Sequence, residues 1–212
     1  MEGEITLHYF NIYGTAEPIR MIFHYFNIPF RDNQISFQDW SHLKHNSFVR
    51  IGKLPVLEID NENYSECYSI LGYLANEIGI MPDDWMEKYL VDSICEFIIG
   101  VNKNFTKLAI KNDLENKERI IHEIVPKWLR RFEARLSKNN EGKDCFVGKR
   151  LTVADFIVFQ FMWDYFLKPG KAEIYRLMVE QCAPTLMEWT YRFLDSSPEL
   201  ISYIESRDQF IF

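Results

Sequence analysis

The clearest topological signal in the chain lies at residues 54–65, which read LPVLEIDNENYS. The segment Leu54–Asp60 is rich in branched and aliphatic residues and predicts a strand, and the polar residues 60–63 predict a turn. Tyr64 begins the return strand, and Ser65 is placed to cap a helix that ends near Gly79. The segment therefore predicts a β-hairpin that leads directly into a helix.

The residues before the hairpin predict a strand, a helix and a second strand. Ile5–Phe10 alternates well enough to form a strand. Residues 11–15 form a loop, and Glu17 and Pro18 open a helix, because the amide that proline lacks has no partner in a first helical turn. A weaker strand follows near residues 32–36. The order βαβ, a variable piece, a hairpin and a helix predicts a small α/β domain over residues 1–80.

Helical periodicity dominates the rest of the chain. Pro82–Asp84 interrupts the pattern and is the candidate linker. Apolar residues then recur at helical spacing over residues 94–108 and again over residues 120–136. These stripes predict an all-helical domain over residues 85–212.

One helix start in the second half is well marked. Thr152 and Asp155 have the spacing of a capping box and predict a helix that runs to about Leu167. Two further short helices are expected near residues 172–181 and 184–195. The second half is therefore expected to form a bundle.

Composition and charge narrow the function classes. Lys and Arg number 24 and Asp and Glu number 31, so the formal net charge is −7. A surface of that sign disfavours nucleic acid and anionic membranes as partners. The N-terminal residues do not form a secretory signal, and the apolar run near residues 156–166 is too short to cross a bilayer. These features predict a soluble, cytoplasmic protein.

The cysteines and histidines do not form a recognisable metal or dithiol motif. Cys67, Cys95, Cys145 and Cys182 include no Cys-x-x-Cys pair. His42 and His45 could share a helical face, but His122-Glu123 is not followed by a second histidine four positions on. Isolated thiols in a reducing compartment are expected, and no metal site is predicted.

Several short motifs occur together: YFN at residues 9–11, AEPIR at 16–20, ISFQDW at 35–40, LPVLE at 54–58 and LTVAD at 151–155. This set resembles the sigma-class glutathione transferases, which include helminth transferases and prostaglandin D synthases. The resemblance covers essentially the whole chain. It implies an α+β two-domain fold, with a thioredoxin-like βαβ-ββα domain at 1–80 and an all-α bundle at 85–212.

The resemblance also implies a catalytic residue. Glutathione's thiol has an unperturbed pKa near about 8.5, so little thiolate exists at neutral pH. A phenol that donates a hydrogen bond to the sulfur stabilises the anion. By its position at the end of the first strand, Tyr9 is that phenol. The implied activity is transfer of the thiol of glutathione, the co-substrate, to an apolar electrophile, as in detoxification.

The same resemblance implies the residues that bind glutathione. Trp40 and Lys44 would hold its glycine carboxylate, and the backbone of Leu54, followed by a cis Pro55, would pair with its cysteinyl backbone. Amides at the start of the helix after Ser65 would hold the γ-glutamyl carboxylate. Three further residues complete the implied binding set: Lys53, Glu66 and Cys67.

The chain departs from the family pattern at several of these positions. Thr15 stands where sigma enzymes usually carry an arginine, which removes a cation near the thiolate. Lys53 replaces a usual glutamine, and Glu66-Cys67 replaces a usual Gln-Ser pair. Two interpretations of Cys67 stay open, namely a reactive thiol at a helix start and a small residue that fills the site.

An aromatic pocket between the two halves is expected to hold the electrophile. Its candidate residues are Phe10, Tyr13, Thr15, Phe105, Phe210 and Phe212. The family implies a homodimer. Two alternatives remain: a transferase-like structural or interaction protein, as in the lens crystallins of this family, and a glutathione-dependent prostaglandin isomerase.

Overall fold

The computed structural model describes residues 3–45, 52–111 and 118–208, and for residues 104–111 it describes the backbone alone. The chain divides into two compact units. One consists of the described residues up to Met81 together with those from Glu199 onward, and the other runs from Pro82 to Pro198.

A mixed four-stranded sheet forms the centre of the first unit. Its strands are β1 (Ile5–Phe10), β2 (Arg31–Ile35), β3 (Val56–Ile59) and β4 (Glu62–Ser65), in the spatial order β2-β1-β3-β4. Strands β1 and β2 are parallel, whereas β3 is antiparallel to both β1 and β4. A parallel β1–β2 pair needs a crossover, which α1 (Glu17–Tyr25) supplies. The predicted βαβ unit and hairpin are therefore confirmed.

The boundaries of the hairpin differ from the prediction at both ends. Strand β3 begins at Val56 rather than Leu54, because Pro55 has no amide to donate to a ladder. Ser65 does not cap the following helix. It is paired with Val56 as the last residue of β4, and Glu66 precedes α3 (Cys67–Glu77) with φ at 71°.

A short helix that the sequence analysis left as a variable piece follows β2. Helix α2 (Phe37–Leu43) begins after Ser36, whose hydroxyl accepts a hydrogen bond from the Asp39 amide at 3.0 Å. This bond satisfies one of the amides that a helix start leaves unbonded. No residue of α2 is buried.

The described part of the second unit consists of helices and the loops that connect them, without a strand. Its helices are α4 (Trp85–Lys111), α5 (Val125–Lys138), α6 (Val153–Met162), α7 (Glu173–Cys182) and α8 (Pro184–Asp195), with π-helical turns at Ile120–Ile124 and Trp163–Leu167. Every residue of α6 is buried, as expected for a helix that is apolar on all sides. The α+β fold class is confirmed.

The capping box predicted at the start of α6 is present. The Asp155 carboxylate accepts hydrogen bonds from the Thr152 amide at 2.7 Å and from the Thr152 hydroxyl at 2.9 Å. Its other oxygen accepts from the Phe146 amide at 2.6 Å. Burial raises the pKa of Asp155 to about 6, although these three hydrogen bonds act in the opposite direction.

The last helix, α9 (Pro198–Ser206), groups from Glu199 onward with the first unit. The Tyr203 hydroxyl donates to the Glu17 carboxylate at 2.9 Å, and Arg207 forms an ion pair with the same carboxylate. Glu17 is fully buried, so these bonds anchor the C-terminal segment. Within the described residues, no helix combines the length and apolar character that a membrane span requires.

Candidate active site

Tyr9 lies at the end of β1 with its hydroxyl enclosed by the turn that follows. The side chain is 6% exposed. Its hydroxyl accepts a hydrogen bond from the Thr15 amide at 3.2 Å and lies 3.1 Å from the Thr15 hydroxyl. Gly14 has φ at +49°, and a Cβ at Gly14 would lie only 2.6 Å from the Tyr9 hydroxyl. Glycine is therefore required here for both its backbone conformation and its lack of a side chain.

Burial keeps the Tyr9 phenol protonated. Loss of solvation raises the pKa of Tyr9 above 10.0, and the nearby Cys67 acts in the same direction. The hydrogen bonds from Thr15 and the charge of Arg20 oppose this shift. At neutral pH the hydroxyl consequently carries its proton and can donate it in a hydrogen bond.

Cys67 meets the same turn from the opposite side. It is the first residue of α3, is 4% exposed, and its thiol donates to the Thr15 carbonyl at 3.1 Å. Thr15 thus bonds to the end of β1 and to the start of α3. Enclosure of the thiol favours the interpretation of Cys67 as a small residue that fills the site over that of an exposed reactive cysteine.

The residues predicted to bind glutathione gather at one end of the sheet. His8 pairs with Val56 and Val56 pairs with Ser65, so the residues just beyond these pairs are neighbours. Leu54 lies beyond the paired region, and the Leu54–Pro55 peptide bond is cis. Lys53 and Glu66, both exposed, approach within 3.8 Å across this end of the sheet.

Trp40 and Lys44 lie one helical turn apart at the end of α2, so they share a face. The half-buried Trp40 ring meets Phe10 edge-to-face at 5.4 Å, and Phe10 stacks on Phe37 at 4.6 Å. Lys44 is exposed. The aromatic contacts hold α2 against the end of β1, next to Tyr9.

The candidate pocket residues have varied surroundings. Phe10 belongs to the aromatic cluster with Phe37 and Trp40, and Thr15 bonds to Tyr9 as described. Tyr13 is 1% exposed, donates to the Asp208 carbonyl at 3.0 Å, and lies under the Arg207 guanidinium, 4.2 Å from its ring centroid. Phe105, Phe210 and Phe212 lie outside the residues whose side chains the structure describes.

Arg20 supports the site in a way that the sequence analysis missed. It is 2% exposed and donates to the Ile12 carbonyl at 3.0 Å, to Glu17 at 3.1 Å and to Asp32 at 3.0 Å. Its guanidinium lies 5.8 Å from the Tyr9 ring centroid. Its sequence signals were its place in the AEPIR motif and the i,i+3 spacing of Glu17 and Arg20 at the helix start. Within the described part of the chain, no three His, Cys, Asp or Glu side chains are grouped to hold a metal ion.

Comparisons with known proteins identify the family of this chain. The family model described as "Glutathione S-transferase, C-terminal domain" matches residues 100–207. Glutathione S-transferase 1 of Ascaris suum is 34% identical over 160 residues, which cover 72% of this chain and 75% of that protein. Hematopoietic prostaglandin D synthase of Mus musculus is 29% identical over 194 residues, covering 86% and 93%. The solved Pi-class glutathione S-transferase of Onchocerca volvulus superposes with a TM-score of 0.82 at 26% identity, covering 97% of this chain and 94% of that one. The chain belongs to the glutathione S-transferase family.

Proposed function

We propose that this family member conjugates the thiol of reduced glutathione to an apolar electrophile, and that Tyr9 stabilises the thiolate. The main support for the proposal is the environment of the Tyr9 hydroxyl. This group is buried, its raised pKa keeps it protonated at neutral pH, and it accepts a hydrogen bond from the Thr15 amide. It lies at the same end of the sheet as the implied glutathione-binding residues. Membership of the glutathione S-transferase family supports glutathione as the co-substrate.

The reaction needs a thiolate and a positioned electrophile. The thiol of free glutathione has a pKa of about 8.5, so only a few per cent of it is thiolate at neutral pH. A hydrogen bond from the phenol to sulfur favours the anion, and the thiol proton passes to solvent. With an aryl halide, the sulfur then forms a bond to carbon, and the carbon–halogen bond breaks to release halide. Tyr9 remains protonated throughout and acts as a donor rather than a base.

The remaining residues divide the recognition of glutathione among its polar groups. The Leu54 backbone, beyond the last ladder pair, would exchange strand-like hydrogen bonds with the cysteinyl unit. Lys44 would donate to the glycine carboxylate, next to the Trp40 ring. The first amides of α3 favour the γ-glutamyl carboxylate, and Glu66 would pair with the ammonium group.

A second candidate activity is glutathione-dependent isomerisation of a prostaglandin. The likeness to mouse hematopoietic prostaglandin D synthase favours it, at 29% identity over 194 residues. The same thiolate would serve both reactions. Incubation with a prostaglandin endoperoxide and product analysis separates them, because isomerisation regenerates free glutathione whereas conjugation consumes it.

We also propose that the protein forms a homodimer. Trp85, Met86 and Tyr89 at the start of α4 are 82%, 64% and 64% exposed. A cluster of large apolar side chains in water is typical of a protein contact. Light scattering should give a dimer for wild type and a monomer for the double variant Trp85→Glu/Tyr89→Glu. A wild-type monomer at high concentration would refute this proposal.

We also propose that the protein is located in the cytoplasm. It is supported by the four cysteines, all described, which form no disulfide with one another. Fractionation should recover the protein with other cytoplasmic proteins, and recovery from secreted material would refute the proposal.

The test of the main proposal compares wild type with Tyr9→Phe in conjugation of glutathione to a generic aryl halide. Loss of the donor should lower kcat/KM by on the order of 10²-fold, by analogy with loss of an oxyanion-hole donor. Tyr73→Phe, on α3 away from the site, is the matched control and should keep full activity. Equal activity of Tyr9→Phe and wild type would refute the role of Tyr9. Absence of both turnover and glutathione binding would favour the structural, crystallin-like alternative.

A further inference from the structure

Thr15 links Tyr9, at the end of β1, to Cys67, at the start of α3, through three of its polar groups. Its amide donates to the Tyr9 hydroxyl at 3.2 Å, its carbonyl accepts from Cys67 at 3.1 Å, and its own hydroxyl lies 3.1 Å from the Tyr9 hydroxyl. The residue is 7% exposed. From the sequence, Thr15 is a lost cation and a pocket residue, whereas in the structure its contacts are with the Tyr9 phenol and with Cys67.

The hydrogen-bonding capacity of the phenol limits how these groups can be arranged. A tyrosine hydroxyl has one proton and two lone pairs. The Thr15 amide can only donate, so it occupies one lone pair. In the contact between the two hydroxyls, either oxygen can be the donor. If the Thr15 hydroxyl donates, both lone pairs are filled and the phenol proton is left for another acceptor.

We propose that Thr15 is a positioning residue for Tyr9, and that its hydroxyl donates to the phenol oxygen when the glutathione thiolate is bound. This inference rests on the proposed function. If the phenol donates to the Thr15 hydroxyl before the thiolate binds, reversal of this hydrogen bond requires only that the two hydroxyl groups rotate, with no displacement of heavy atoms. Two donors on the phenol oxygen polarise its O–H bond, so the phenol becomes a stronger donor to sulfur in a site with little water.

The surroundings leave Thr15 as the side chain suited to this task. The charged and titratable groups that face the phenol are Arg20, with its guanidinium 5.8 Å from the ring centroid, and the Cys67 thiol. Arg20 directs its Nε to Asp32 and its Nη1 to Glu17 and the Ile12 carbonyl. Its guanidinium lies over the Tyr9 ring rather than beside the hydroxyl. Cys67 donates to the Thr15 carbonyl, so it fixes the Thr15 backbone and leaves the hydroxyl contact to Thr15.

The experiment titrates the thiol of bound glutathione through the ultraviolet absorbance of the thiolate. Thr15→Val removes the hydroxyl with little change of shape, and Thr15→Ser retains it. Thr15→Val should raise the apparent pKa of the bound thiol by about 0.1–0.7 unit, because the Thr15 hydroxyl strengthens the hydrogen bond from the phenol to sulfur and does not itself contact the sulfur. Thr15→Ser should titrate close to wild type. A purely structural role would alter the unfolding midpoint of both variants without this selective pKa shift.

The double variant Tyr9→Phe/Thr15→Val tests whether Thr15 acts through the phenol. In the Tyr9→Phe background, Thr15→Val should add no further pKa shift, because its target is gone. An equal shift in both backgrounds would overturn the proposal and show that Thr15 donates directly to sulfur. A shift for Tyr9→Phe with none for Thr15→Val would overturn the inference but leave the proposed function intact. No shift for Tyr9→Phe would refute the proposed function itself.

Discussion

Gly14 offers a sharp test of how closely the turn encloses the Tyr9 phenol and of the catalytic role proposed for it. In Gly14→Ala the new Cβ would lie 2.6 Å from the Tyr9 hydroxyl and 3.0 Å from the nearest ring carbon. The hydroxyl must therefore move by about 0.8 Å to reach the 3.4 Å limit of ordinary contact. A misplacement of roughly 1 Å can lower a rate by about 10²-fold. We expect Gly14→Ala to lose on the order of 10²-fold in kcat.

Gly79 provides the matched control. It also has positive φ, at +75°, but a Cβ there has no neighbour within 4 Å. Both alanine variants should lose about 1–2 kcal/mol of unfolding free energy, because a left-handed conformation is unfavourable for a residue with a Cβ. Only Gly14→Ala also displaces the phenol, so only this variant should lose activity beyond what stability explains.

The assay measures turnover of glutathione with an aryl halide at saturating substrate, together with urea unfolding of each variant. Both measurements use temperatures at which the variants remain folded. Wild-type kcat for Gly14→Ala, or an equal loss for Gly79→Ala, would refute the claim that the geometry of the phenol sets the rate.

Three further predictions concern the network around Glu17, the cap of α6 and the exposed cation of α2. Glu17→Gln removes the charge that pairs with two buried arginines, Arg20 and Arg207, and should lower the unfolding free energy by about 3–5 kcal/mol; a loss below about 1 kcal/mol in urea titration would contradict the network. Asp155 has its native pKa raised from 3.8 to about 6, so the folded chain holds a proton that the unfolded chain has lost between these values. Its contribution to stability should therefore fall as pH rises from 4 to 6, by up to about 3 kcal/mol relative to Asp155→Asn, and a difference that grows with pH would show the opposite sign. Lys44→Ala should weaken glutathione binding by roughly 5–10-fold at low salt and much less at high salt, with kcat unchanged, since the cation is exposed; calorimetry with Lys138→Ala as control measures this, and unaltered affinity would remove Lys44 from the site.

Local patterns predicted most of the secondary structure, and the exceptions have physical causes. Alternation placed β1 correctly, and turn residues placed the hairpin, because both signals are local. Helix α2 was missed because it has only seven residues and leaves its three apolar side chains, Phe37, Trp40 and Leu43, half-buried or exposed. Its main local signal was the cap spacing of Ser36 and Asp39. The C-terminal segment groups with the first unit through contacts with Glu17, such as that of Tyr203, which is 186 residues away in sequence. A local sequence pattern cannot predict a contact between residues so far apart.

The candidate site divides in the same way. A motif at the end of β1 was enough to single out Tyr9, and the order of strands brings the residues around Leu54 and Glu66 to the same end of the sheet. The role of Thr15 could not be predicted, because it depends on a positive φ at Gly14 and on the direction of one side chain. Substitution of the expected arginine indicated a loss, whereas the Thr15 hydroxyl makes a contact of its own with the Tyr9 hydroxyl at 3.1 Å.

A crystal structure of the chain with reduced glutathione tests the central claim most directly. We expect the glutathione sulfur to lie within hydrogen-bonding distance of the Tyr9 hydroxyl, with the cysteinyl backbone alongside Leu54. A sulfur bonded to another group, with the Tyr9 hydroxyl still engaged only by Thr15, would contradict it.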